Sequence, residues 1–122
     1  MAENKVYFSK SFEKGTLLIN EDVLETIVIN AVKDVEGVVG LSTRPAMDII
    51  DIVGKKYIGK SLKITISDDD QLQVFCNINV LYGKNVVEVA KAVQNAISNA
   101  LESSANATVT AVNVNVCGIV RQ

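Results

Sequence analysis

The sequence predicts an α+β domain: a two-layer sandwich in which two main amphipathic helices cover one face of a mixed or antiparallel sheet. Three observations predict it. Residues 72–81 alternate apolar and polar, residues 24–35 and 86–101 repeat apolar side chains at helical spacing, and turn-forming residues separate these runs. A one-sided sheet and an amphipathic helix each have a surface to bury, and stacking them as two layers buries both. The chain has 122 residues, 48% hydrophobic and 21% charged, a composition that suits one domain with one core.

Residues 1–14 are polar and mixed and read as an N-terminal tail, leaving 15–122 as a single α+β domain. TLLI at 16–19 is a short strand. Asn20 suits a helix N-cap, with Glu21 and Asp22 in the electropositive first turn. Leu24, Ile27, Val28, Ala31 and Val35 then form the buried stripe of the first helix, and Gly37 suits its left-handed stop. Val38, Val39 and Leu41 make a short strand. Pro45 opens a short helix carrying Ala46, Ile49, Ile50 and Val53, and GKKYIGK is a loop. LKITIS at 62–67 and residues 72–81 form a hairpin around the turn DDDQ, with Leu72, Val74, Cys76, Ile78 and Val80 on one face. Asn85 caps the second helix, with Glu88 three residues on as in a capping box. Its stripe is Val86, Val89, Ala90, Val93, Ile97, Ala100 and Leu101. The last strand, 108–117, turns Val112, Val114 and Val116 inward and Asn113 and Asn115 outward. The order is β-α-β-(α)-β-β-α-β.

Composition excludes several function classes. Net charge is −2, so no global field attracts nucleic acid, and aromatic residues are only 5%, which leaves few platforms for base stacking. With no histidine, the chain lacks the commonest general base and the commonest metal ligand. Cys76 and Cys117 sit on predicted strands without CxxC spacing and read as free thiols of a cytosolic protein. MAENKVYFSKSFEKG lacks the apolar core of a signal peptide, and no apolar run is long enough to cross a bilayer.

Residues 54–61, GKKYIGKS, match the phosphate-binding pattern GxxxxGK[ST] letter for letter. That pattern binds phosphate only where it opens a helix, whose first amides supply half the site. Here β-branched, alternating LKITIS follows, so the segment is predicted to be a glycine-bounded loop. Lys55, Lys56, Lys60 and Lys63 fall within nine residues with no acid among them, a candidate patch for an anionic partner, RNA included. Asp68, Asp69 and Asp70 lack the ligand spacing of a calcium loop and suit a turn. Asn77 and Asn79 share one face of their strand, as Asn113 and Asn115 do of theirs. If the two strands are neighbours, four amides line one open sheet surface, either a solvated face or a docking face.

Gly15, Leu17, Ile19, Asn20, Glu21 and Val23, the element Glu36-Gly37-Val38-Val39-Gly40-Leu41, the step Tyr82-Gly83, the helix residues Ala90, Val93 and Gln94, and the closing Val112, Asn113, Val114, Val116 and Gly118 stand together in order. In this the chain resembles the alkaline shock protein family, small envelope stress response proteins of Gram-positive bacteria, from about Gly15 to Val120. One departure is visible: many members carry a histidine where this chain has Asn115. The resemblance implies a non-enzymatic cytosolic interaction or scaffold protein of envelope or general stress, able to self-associate or to dock onto a membrane-anchored partner. It supplies no catalytic residue, metal ligand or cofactor. The alternatives from the residues alone are an RNA-binding module using the lysine-rich loop 55–63 and nucleotide binding through GKKYIGKS.

Overall fold

The computed structural model describes residues 7–41 and 61–121. Eight elements follow in order: β1 (Tyr7–Phe12), β2 (Gly15–Asn20), α1 (Glu21–Lys33), β3 (Val38–Leu41), β4 (Leu62–Ile66), β5 (Gln71–Leu81), α2 (Val86–Ala105) and β6 (Thr108–Val120). The α+β class stands. The helix expected after Pro45 lies outside the described residues.

β5 organises the main sheet. Its first half pairs antiparallel with β4, from Leu62↔Cys76 to Ile66↔Leu72. Its second half pairs antiparallel with β3, from Val38↔Val80 to Leu41↔Ile78. Along the opposite side it runs parallel to β6, from Gln71↔Thr108 to Leu81↔Val120. Parallel neighbours need a crossover, and α2 supplies it. The sheet is therefore mixed, with β6 along one side of β5 and β3 and β4 sharing the other. β1 and β2 form a separate antiparallel hairpin, Tyr7↔Asn20 to Phe12↔Gly15.

Side-chain periodicity explains the layers. Leu62, Ile64, Ile66, Leu72, Val74, Cys76, Ile78 and Val80 are all buried on one sheet face. Against them α1 sets Leu24, Val28 and Val32, and α2 sets Val89, Val93, Ile97, Leu101 and Ala105, each four residues from the last. Both N-caps are formed. The Asn20 Oδ1 accepts from the Asp22 N–H at 2.8 Å, and the Asn85 Oδ1 accepts from the Glu88 N–H at 3.1 Å. At the far end of α2, Asn106 takes the left-handed conformation (φ +53°), and its N–H reaches back to the Leu101 and Glu102 carbonyls.

Three local expectations need correction. Residues 7–12 form a strand although the sequence reads as a tail to residue 14, because Phe8 is 1% exposed and joins the core beside Ile19. Val32, rather than Ala31 or Val35, holds the third fully buried position of α1. Gly37 does not cap α1, whose last residue is Lys33 and whose C-cap is Asp34; it sits in the turn that follows, at φ +94°. A Cβ there would stand 2.8 Å from Val89 Cγ2, so a side chain is excluded both by conformation and by the packing of α2.

Candidate functional site

The amide face comes first. The expectation that the strands of Asn77 and Asn115 are neighbours holds: the two residues stand in register across the parallel β5–β6 pair. The Asn115 Nδ2 donates to the Asn77 Oδ1 at 3.2 Å and also lies 3.6 Å from the Cys117 Sγ. The expected open surface needs correction. Asn77 is 0% exposed, Asn79 and Asn115 are half-buried, and only Asn113 is exposed. Phe75, next to Asn113 in the register, is buried as well. Asn77 and Asn115 therefore tie two strands together rather than presenting four amides to a partner, since a buried amide is held by the bonds it makes inside. Asn79 stands opposite Gly118, where a Cβ would come within 3.0 Å of the Asn79 Oδ1; the glycine leaves room for that amide.

The lysine patch also changes. Lys63 is 3% exposed, and its Nζ lies 3.0 Å from the Glu21 Oε2 in the first turn of α1. It is a buried ion-pair partner, joining β4 to α1, and offers no charge to RNA or a lipid surface. Lys55, Lys56 and Lys60 lie outside the described residues. Of GKKYIGKS only Ser61 is described, and β4 begins at the next residue. The motif thus runs into a strand, and the helix amides that would hold a phosphate are not there. Asp68–Asp70 form the β4–β5 turn as expected, with the Asp70 N–H donating to the Ser67 carbonyl at 3.0 Å and Asp70 at φ +60°.

Chemical reactivity is low at the thiols' buried member. Burial pushes the Cys76 thiol up from 9.0 to about 12, which keeps it protonated and a poor nucleophile at neutral pH. Among the described residues no group of three or more Cys, Asp or Glu side chains is placed to hold a metal ion.

Two further surfaces stand out: one that the sequence reading missed, and the uncharged run TVTAVNVNVCGIV, which as an exposed edge needs to be covered or paired. The first is the β1–β2 hairpin. Opposed residues share a face, so Phe8 and Ile19, Lys10 and Leu17, and Phe12 and Gly15 line one side. Phe8 and Ile19 pack on the core, but Leu17 and Phe12 continue the same face beyond it, 44% and 57% exposed. The signal was present in the alternation of Phe8, Lys10 and Phe12 with Leu17 and Ile19, masked by the polar residues between them. The second surface is β6, which among the described residues pairs only through β5.

The model of the alkaline shock protein 23 family, described as having a cell envelope-related function, matches residues 9–121. The chain belongs to that family. Relatives include the uncharacterized protein YqhY of Bacillus subtilis (strain 168), 27% identical over 106 residues, covering 86% of this chain and 77% of that protein. The uncharacterized protein Spy1535 of Streptococcus pyogenes serotype M6 is 29% identical over 108 residues, 88% of this chain and 81% of that one. Among solved structures the fold is similar to MamM-CTD 215-293, with a TM-score of 0.50 and 13% identity over 81% of this chain and 99% of that chain. A triple variant of MamM CTD gives the same TM-score of 0.50 and 13% identity, over 80% and 94%. At that identity the likeness is one of fold alone. No helix among the described residues is long and apolar enough to cross a membrane.

Proposed function

We propose that this chain is a non-enzymatic interaction module of the envelope stress response, working in the cytosol and docking onto a protein partner anchored in the membrane. One observation carries the reading: the apolar face of the β1–β2 hairpin outruns the core it packs on. Leu17 and Phe12 lie exposed in line with the buried Phe8 and the half-buried Ile19. Exposing large apolar groups side by side costs free energy in water, and a partner that continues the core over them recovers it. The envelope-related function of the family supports the setting. The protonated Cys76 and the absence of histidine support a role without acid–base or thiol chemistry.

The test is capture of partners by the tagged chain from separate membrane and soluble fractions, in parallel with the double variant Phe12→Ser, Leu17→Ser. The expected result is a stoichiometric membrane protein with the wild type that is lost with the variant, while the circular dichroism spectrum stays native. A partner retained by the variant would move docking elsewhere. Capture of RNA or ribosomal proteins instead would overturn the reading.

A further inference from the structure

We propose that β6 is a two-fold interface: its outer edge pairs antiparallel with the same edge of a second copy of this chain, centred on Val114. The inference rests on the interaction-module reading above and names one occupant for a different surface.

The edge is long, and neither charge nor proline blunts it. Natural edge strands are commonly blunted by charge or proline, yet residues 108–120 contain neither. Two shifts in the β5–β6 register, between Leu72 and Gln73 and between Ile78 and Asn79, bracket a regular run on β6 from Ala111 to Val116. Within that run Val112-Asn113-Val114-Asn115-Val116 reads the same in both directions. A two-fold interface is self-complementary, with residue i meeting residue j of the second copy and j meeting i, and a palindromic run places like residues together at every such pair. Antiparallel pairing about Val114 sets Val114 beside itself, Val112 beside Val116 of the second copy, and Asn113 beside Asn115 of the second copy. No like charges meet anywhere along it.

Each face gains. Val112, Val114 and Val116 are half-buried and packed against the core, so a second copy extends the valine row and covers its flank. On the other face the exposed Asn113 meets an amide that can both donate and accept. A foreign strand could match the lack of charge, but the palindrome is matched by this chain itself.

Among the described residues, one side chain bonds to this edge. Gln94, on the exposed flank of α2, donates its Nε2–H to the Val112 carbonyl at 2.9 Å. Residues two apart direct their backbone groups the same way, so Val114 and Val116 share that side of the strand. Gln94 therefore competes with the Val116 N–H of the second copy for one acceptor, and must swing aside on pairing.

Sedimentation velocity of the purified full chain over a concentration series tests this, with Asn113→Lys and Gln94→Ala. The wild type is expected to dimerise. Asn113→Lys, an edge cation on an exposed position, raises the dissociation constant by about tenfold or more. Gln94→Ala frees two carbonyls per dimer and lowers it on the order of tenfold. A nitroxide on Asn113→Cys in a Cys117→Ser background should show dipolar broadening that vanishes on dilution with unlabelled chain. A monomer throughout, a dimer that neither variant shifts, or a dimer without broadening overturns the proposal. The hairpin variant Phe12→Ser, Leu17→Ser leaves this dimer unchanged, so the dimer and the membrane partner can fail separately.

Discussion

Cys76 shows how one buried side chain sets a chemical limit. It sits in the β5 core at 1% exposure, and burial raises its thiol from 9.0 to about 12. Below pH 9 the thiol is protonated in both the folded and the unfolded chain, so it costs nothing. Between the two values the unfolded chain releases a proton that the folded chain keeps, and stability falls as pH rises, by about 1.4 kcal/mol per pH unit. Urea unfolding from pH 8 to 11 should show that slope in the wild type and a shallower one in Cys76→Val; equal slopes in both would mean that the thiol is not held in the core. What sequence could show at this scale was whatever depends on near neighbours. Asn20 and Asn85 were legible as caps because each bonds an amide two or three residues away. The burial of Asn77 was not, because its partner Asn115 is 38 residues distant and reaches it only through a parallel register that the alternation of neither strand encodes.

Elements repeat the lesson over longer spans. Helix stripes and the β4–β5 hairpin follow from period and turn chemistry, and they form where the pattern puts them. β1 escaped notice because YFSKSF buries only Phe8 completely, too little to distinguish a strand from a polar tail. Lys63 was misjudged for the same kind of reason: three other lysines stand near it in sequence, whereas the carboxylate that neutralises it lies 42 residues back on α1. Its side chain is 4% exposed and that of Glu21 20%, so the pair is buried more deeply at the lysine. The asymmetry makes a prediction. Glu21→Ala takes this carboxylate away from a buried ammonium and should destabilise by about 3 kcal/mol, whereas Lys63→Met leaves a carboxylate with access to water and should cost less than half as much. Chemical denaturation of the two variants measures both. A Lys63→Met loss equal to or larger than that of Glu21→Ala would show that the ion pair is not what joins β4 to α1.

At the scale of the molecule, the chain divides into a sheet held from several directions and a hairpin held from one. β5 is paired along both sides, by β3 and β4 on one and by β6 on the other, beneath two helices. β1 and β2 pair with each other, and a two-stranded ribbon is only marginally stable alone. Among the described residues it is fastened by the Phe8 and Ile19 face on the core, and by the bond from the Ser9 N–H to the Asp70 Oδ1 at 2.9 Å, which ties β1 to the β4–β5 turn. Local opening free energy follows such differences in anchoring. Native-state hydrogen exchange should therefore find the β1 and β2 amides at least about a hundredfold less protected than those of β5. Asp70→Gly keeps the left-handed turn residue, since glycine adopts φ +60° freely, but removes the acceptor. It should speed exchange across the hairpin by about fivefold, the worth of one hydrogen bond, with little change in β5. A hairpin that exchanges only with the global unfolding of β5 would mean that Phe8 alone locks it to the core, and the apolar face ending in Leu17 and Phe12 would then be a rigid extension of the domain rather than an arm that opens to take a partner.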